Sequence, residues 1–257
     1  MTSARPRLPD AARQALVLLF ALAQLFAPAL PSFGYGLPIG TRADLAMTPN
    51  TPAGYAFAIW SVIYLGCTAY AFWQAWPSQR AREIHRAVGP WLVAAFAANT
   101  AWPLIVQFDG LSVASVLVIG ALLVALFGAL ERAQVATRGA DRWLLRVTVG
   151  LFAGWITAAS FANLAAMLLA EGHVTEDATP VWVAIAAGAT AFAAWAVVRC
   201  RAEPAYVFAV AWAGVALLAR NWAERPGAPE TGATFGLLLV LTLATLHAWR
   251  VRRGGSA

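Results

Sequence analysis

Eight apolar stretches recur along this chain, and each is about as long as a lipid bilayer is thick. They run over residues 14–30, 53–75, 90–108, 111–130, 143–169, 180–198, 205–220 and 232–249. A helix needs roughly 20 apolar residues to cross a hydrocarbon core about 30 Å deep. Such a chain folds into helices that satisfy their backbone groups within each span. None of the stretches alternates apolar with polar residues, as the strands of a membrane barrel do. The expected fold is therefore an all-α polytopic membrane protein with eight transmembrane helices. Composition agrees: 61% of residues are hydrophobic and 12% charged, against about 25% charged in soluble domains.

The first stretch, Gln14 to Leu30, has the length of a short span and could also pass for a signal peptide, with Ala27-Pro-Ala29 as its cleavage site. Pro28 and Pro31 disfavour cleavage, so it is taken as a span. The connection over 31–52 is the longest, is rich in Pro and Gly, and is expected to fold back over the membrane face. Pro52 suits the first turn of the following helix, with Asn50 or Thr51 as its cap. Cys67 and Cys200 offer neither a disulfide framework nor a metal-binding spacing.

All 18 positive charges are arginines, and they test the span count. With the N-terminus on side A, that side carries Arg5, Arg7, Arg13, Arg80, Arg82, Arg86, Arg132, Arg138, Arg142 and Arg146. It also carries Arg199, Arg201, Arg250, Arg252 and Arg253. Side B holds only Arg42, Arg220 and Arg225. The positive-inside rule makes side A cytoplasmic, with both termini there. The net charge of +6 is then a topology signal, and nucleic acid is not an expected partner. The bilayer is, in a bacterial cytoplasmic (inner) membrane.

No Asp, Glu, Arg or His falls clearly mid-span, which argues against proton relays and ion-driven transport. His85, His173 and His247 lie in loops or at span ends, away from any haem-ligating position. His173 with Glu171, Glu176 and Asp177 reads as a solvated acidic loop ahead of a metal site. No nucleophile–base pair can be named, so an enzyme is not expected.

Twelve tryptophans remain. Trp76, Trp91, Trp143, Trp182, Trp222 and Trp249 lie near span ends, as an interfacial belt does. Trp60, Trp102, Trp155, Trp195 and Trp212 are deeper. Phe57, Trp60 and Tyr64 share one helix face, either as a packing seam or as a pocket wall. Asn99 precedes Trp102 by three positions, and Trp155, Ala159 and Asn163 are spaced by four. Asn99 and Asn163 should face inward, toward a ligand or a neighbouring helix.

Pro52…Trp60…Tyr64, Asn99-x-x-Trp102 and Trp155-x3-Ala159-x3-Asn163 together resemble the TspO / translocator-protein family of tryptophan-rich sensory proteins. The resemblance covers the first five spans in the family's order. It implies a five-helix core that binds porphyrin or haem as a ligand and not as a required cofactor. A sterol-like molecule is a further candidate ligand, and the resemblance leaves a homodimer open. The implied ligand-binding residues are Tyr55, Phe57, Trp60, Tyr64, Asn99, Trp102, Trp155, Ala159 and Asn163. Tyr55 and Phe57 stand one position off the family spacing before the tryptophan. Pro204, Tyr206, Phe208 and Trp212 repeat that spacing in a later span.

The expected organisation is an N-terminal cytoplasmic segment (1–13), a TspO-like core (14–170), a three-helix extension (171–250) and a cytoplasmic tail (251–257). The leading function is binding of a flat hydrophobic ligand, a tetrapyrrole, with a regulatory or transport consequence. A facilitative carrier of a small apolar or amphipathic solute, or a structural assembly protein without a ligand, stays open beside it.

Overall fold

The apolar runs fold into helices that continue past their apolar residues, because a helix keeps its internal hydrogen bonds wherever its polar ends find partners. The computed structural model describes residues 9–254. Nine α-helices are present among them: α1 (Asp10–Phe26), α2 (Ile39–Asp44), α3 (Ile59–Ala75), α4 (Glu83–Asp109) and α5 (Val113–Ala133). They continue with α6 (Thr148–Ala170), α7 (Thr179–Arg199), α8 (Pro204–Glu224) and α9 (Pro229–Gly254). All but the short α2 belong to the eight segments long and apolar enough to cross a membrane. The described residues contain no strand.

Several boundaries differ from the expectation. The first span starts at Asp10 and runs on as a 3-10 helix over Ala27–Phe33, which takes in Pro28 and Pro31. The fourth element starts at Glu83, ahead of its apolar run, because Arg86 pairs with Asp10 of α1 at 2.6 Å. Helix α9 reaches Gly254, into the expected tail. Arg5 and Arg7 lie outside the described residues, as do the side chains of Arg252 and Arg253.

Helix α6 is the centre of the bundle and packs against α3, α5, α7 and α8. Helices α1, α4 and α5 close one flank, and α9 joins α7 and α8 on the other. Gly154 sets the α6–α8 distance: a Cβ there would stand 2.5 Å from the Tyr206 carbonyl oxygen. With Gly150 it forms a small-xxx-small stripe that lets two membrane helices approach closely. The α4–α5 hairpin turns at Gly110, whose φ of 89° suits glycine, and Ser112 and Ser115 form a capping box at the start of α5.

Two polar groups read as peripheral are buried. Arg13 lies inside α1 at 1% exposure. It donates to Gln74 Oε1 at 3.2 Å and to the Arg80 carbonyl at 2.8 Å, tying α1 to the end of α3. His85 is at a span end as expected, yet fully buried, with Tyr70 Oη 3.1 Å from Nδ1. Arg82 bridges to Asp141, and Arg146 to Glu203. These contacts gather the arginine-rich loops at one end of the bundle.

Burial sorts the tryptophans more finely than span position does. Trp76, Trp143, Trp222 and Trp249 are exposed. Trp182 is fully buried and donates its indole N–H to the Glu176 carbonyl at 3.0 Å. Trp91 is half-buried under Arg132, 4.6 Å above its ring. Trp195, taken as deep, instead faces outward beside Phe192. In each case the helix face decides exposure, and distance from the span end alone does not show it.

Candidate functional site

One face of α6 carries Trp155, Ala159, Asn163 and Ala166 at helical spacing, with Ala158 and Ala162 beside them. Together these residues line an internal cavity of about 150 Å³. Trp102 and Val106 of α4 form its second wall, and Phe57 closes one side. Ile185, Ala189 and Ala193 of α7, Val210, Ala213 and Leu217 of α8, and Thr234 and Leu237 of α9 complete it. Aromatic rings therefore stand on the α4–α6 side and small aliphatic groups on the side of the last three helices.

The connection over residues 34–53 folds back as the sequence suggested and makes the roof. Ile39, Ala43 and Ala46 point into the cavity from α2 and the residues after it, followed by Asn50, Thr51 and Pro52. The roof is tied to three helices. Arg42 donates to the Gln107 and Phe108 carbonyls at the end of α4, at 3.3 and 3.4 Å. Asn50 donates to the Trp182 carbonyl at 3.2 Å, and Asn221 to the Pro49 carbonyl at 3.0 Å. Arg220 reaches the carbonyls of Thr48 and Thr51 at 3.3 and 2.9 Å. Non-helical backbone at membrane depth is tolerated where protein partners satisfy it, and these bonds supply the partners.

The capping expectation at Asn50 and Thr51 does not hold. The backbone over residues 51–53 is extended, a 3-10 turn (Gly54–Ala58) follows, and α3 begins only at Ile59 with no side-chain cap. Pro52 therefore precedes the helix instead of opening it. The Asn50 amide is spent on α7, and the Thr51 hydroxyl accepts from the Thr48 N–H at 3.1 Å.

Of the nine residues singled out from sequence, Phe57, Trp102, Trp155, Ala159 and Asn163 line the cavity. Tyr55, Trp60, Tyr64 and Asn99 lie outside it. Tyr55 is exposed and meets Trp212 edge-on at 5.6 Å. Trp60 stacks on Tyr64 at 5.1 Å and backs onto Trp155 at 6.3 Å, so it supports the cavity wall from behind. Asn99 is buried and donates to Gln24 Oε1 of α1 at 2.9 Å. It thus faces inward, but toward a helix neighbour.

Hydrogen bonding divides the cavity's polar groups into spent and free. Asn163 accepts from the Trp102 indole at 3.0 Å and donates to Ser115 Oγ at 2.9 Å, joining α4, α5 and α6. Thr157 shares its hydroxyl with the Ala153 carbonyl and with Tyr206 Oη. Trp155 differs. Its ring is 2% exposed and lines the cavity, and its indole N–H has no partner among the described residues. A buried donor left unpaired costs about 1–3 kcal/mol. Phe57 meets the same ring edge-on at 5.6 Å.

Sequence reasoning missed the entire far wall and the roof contacts. Alanines at positions 186, 189 and 193 carry a helical small-residue signal, but such stripes read equally as helix-packing seams. Ser115 and Gln24, which hold Asn163 and Asn99, could be matched to their partners only through the tertiary structure.

A family model described as TSPO-like protein matches residues 14–249. The match runs through all eight spans and so includes the last three helices, beyond the five that the motifs cover. No curated protein and no solved structure matches the chain.

Proposed function

This chain belongs to the TSPO-like family, and from that premise we propose that it binds a flat apolar ring molecule, a tetrapyrrole, in its central cavity. The carrying observation is Trp155. It is a buried indole with an unpaired N–H, edge-on to Phe57, in a lining whose Asn50, Thr157 and Asn163 side chains are already hydrogen-bonded. Aromatic walls stack on a conjugated ring, and a few polar groups orient it. The lining holds no carboxylate, imidazole, amine or thiol. That supports binding over acid–base or nucleophilic chemistry, which needs such groups in reach.

The size of the space shapes the proposal. A cavity of about 150 Å³ suits a ring the size of benzene, below the roughly 300 Å³ where drug-sized sites begin. A tetrapyrrole therefore enters with a lift of the roof, whose ties to α4, α7 and α8 are hydrogen bonds. The core (14–170) would then present the aromatic wall and the extension (171–250) the small aliphatic one. The arginine asymmetry supports a cytoplasmic side for both termini, and the proposed setting is a bacterial inner membrane.

The observed volume also favours a second reading, a carrier or sensor of a small apolar solute. Tryptophan fluorescence of the detergent-solubilised protein, titrated with protoporphyrin IX and separately with a monocyclic aromatic, decides between them. Saturable quenching by the porphyrin that weakens in Trp155→Phe supports the tetrapyrrole. Saturation by the small aromatic alone supports the second reading. Linear quenching by both, unchanged in the variant, removes the cavity as a binding site.

A further inference from the structure

Phe57 is the most exposed residue of the cavity lining. It is 44% exposed, whereas Trp155, which it meets edge-on at 5.6 Å, is 2% exposed. Trp155 faces the same cavity and gains almost no exposure from it. The exposed part of Phe57 therefore lies on its outer side. Phe57 belongs to the apolar segment Gly54–Ala75, long enough to cross a membrane. In a bilayer the outer side of its ring meets lipid, and the inner side meets the cavity.

The backbone around this ring is pinned. The Ala53 N–H donates to the Ala216 carbonyl at 3.3 Å, and the Trp212 indole to the Ala56 carbonyl at 2.9 Å. The Ile59 N–H bonds to the carbonyls of Ala56 and Phe57. The ring itself has no hydrogen-bonding group. Phe57 lies in the 3-10 turn Gly54–Ala58, where side chains at i and i+3 eclipse. The residue eclipsing Phe57 is thus Gly54, and a Cβ there would meet no described atom within 4 Å. Ala58, next in sequence, is exposed as well. Small residues leave the ring space on the outside of the turn. Exposed side chains change rotamer within picoseconds to nanoseconds.

We propose that Phe57 is a lateral gate, past which an apolar molecule dissolved in the bilayer reaches the central cavity without crossing water. The proposal rests on the reading that the cavity takes an apolar ligand. Lifting the roof breaks hydrogen bonds from Arg220 and Asn221. Swinging the Phe57 ring breaks none and gives up only ring contacts. The roof therefore sets how far the cavity can widen, and Phe57 sets the path into it. Apolar molecules leave water for lipid, so an entrance on the lipid side meets them where they collect.

The test uses no cavity ligand, so its outcome stands apart from the porphyrin titration. The whole protein is reconstituted into vesicles of phosphatidylcholine or of its dibrominated counterpart, whose acyl chains quench the indoles they touch. The Trp155 share of the emission is the difference from the matching Trp155→Phe protein. Brominated lipid should leave that share nearly intact in the unaltered protein and reduce it at least twofold in Phe57→Ala. Phe57→Leu truncates the ring less, should give an intermediate loss, and serves if Phe57→Ala fails to fold. Asn221→Ala, which frees Pro49 of the roof, should behave as the unaltered protein. Equal quenching in the unaltered protein and both Phe57 variants overturns the proposal, since the ring then closes no path. So does a loss that appears in Asn221→Ala and not in the Phe57 variants, which puts the entrance at the roof. Acrylamide in the water that quenches Trp155 in Phe57→Ala, where brominated lipid does not, overturns it too, because the opening then faces water.

Discussion

The indole N–H of Trp212 donates to the carbonyl of Ala56 at 2.9 Å. The acceptor lies in the 3-10 turn that leads into α3, and the donor is on α8. A second bond, from the Ala53 N–H to the Ala216 carbonyl at 3.3 Å, runs along the same seam. Residues 53–56 thus descend beside α8, whose Trp212 gives a second donor to a carbonyl that also accepts the Ile59 N–H. Trp212→Phe keeps a ring against Tyr55 and Phe208 and removes only the donor. It should cost about 0.5–1.5 kcal/mol, the net contribution of one hydrogen bond, because the Ala56 carbonyl keeps the Ile59 N–H. Thermal unfolding reads the loss, and hydrogen exchange should rise first over residues 48–58. An unchanged midpoint would mean that lipid or water replaces the indole.

The pair Arg146–Glu203 makes a second link, from the π-helical turn (Asp141–Val147) that leads into α6 to the residue that precedes α8. Both side chains are nearly buried, 11% and 4% exposed. Arg146 also donates to the Gln134 carbonyl at 3.1 Å. Removing one partner strands a buried charge, at about 3–5 kcal/mol. Glu203→Leu and Arg146→Met should each lower the unfolding midpoint sharply. The double variant should recover most of the loss, because an apolar replacement of a buried ion pair is often near neutral. A double variant as unstable as either single one would show that the Gln134 contact matters more than the pair.

Cys200, on the turn between α7 and α8, is 2% exposed, and burial pushes its thiol from 9.0 up to about 12. The thiolate is the reactive form, so at pH 8 roughly one molecule in 10⁴ presents it at a pKa of 12. N-ethylmaleimide should leave Cys200 unmodified in the folded protein and label it on unfolding, as mass spectrometry would show. The neutral thiol also favours folding below pH 9, and that contribution declines as the pH rises from 9 toward 12. Rapid labelling of the native protein at pH 8 would mean that the α7–α8 turn opens on the labelling time scale.

The membrane fold was legible because apolar length alone selects spanning helices, and the arginine asymmetry held the count at eight. The inward facing of Asn99 and Asn163 was legible too, since an amide in a membrane helix needs a partner. Which partner was not, because Gln24 and Ser115 carry no signal until α1 and α5 pack beside α4 and α6. The aromatics of residues 55–64 divide between cavity and outer surface because the chain changes from extended to 3-10 to α-helix between Pro52 and Ile59. Spacing rules written for a single helix cannot follow that change. The α7 wall was hidden for a different reason: alanines that leave space for a ligand and alanines that admit a neighbouring helix look alike in sequence.

Ala189 separates those two meanings. It lies on α7, half-buried, in the wall facing Trp155 and Ala159. If the space is held open for a ligand, Ala189→Leu fills it without displacing a neighbouring helix. Cavity filling commonly adds about 0.5–2 kcal/mol, so the unfolding midpoint should hold or rise. Saturable quenching by whichever probe occupies the cavity should weaken at least tenfold in the same variant. Trp155→Phe provides the contrast, since it removes a polar handle and leaves the volume nearly intact. If Ala189→Leu instead lowers the midpoint by several degrees, α7 was already packed against its neighbours. The aliphatic wall would then be a helix seam, and the binding site would have to lie elsewhere along the aromatic face of α3.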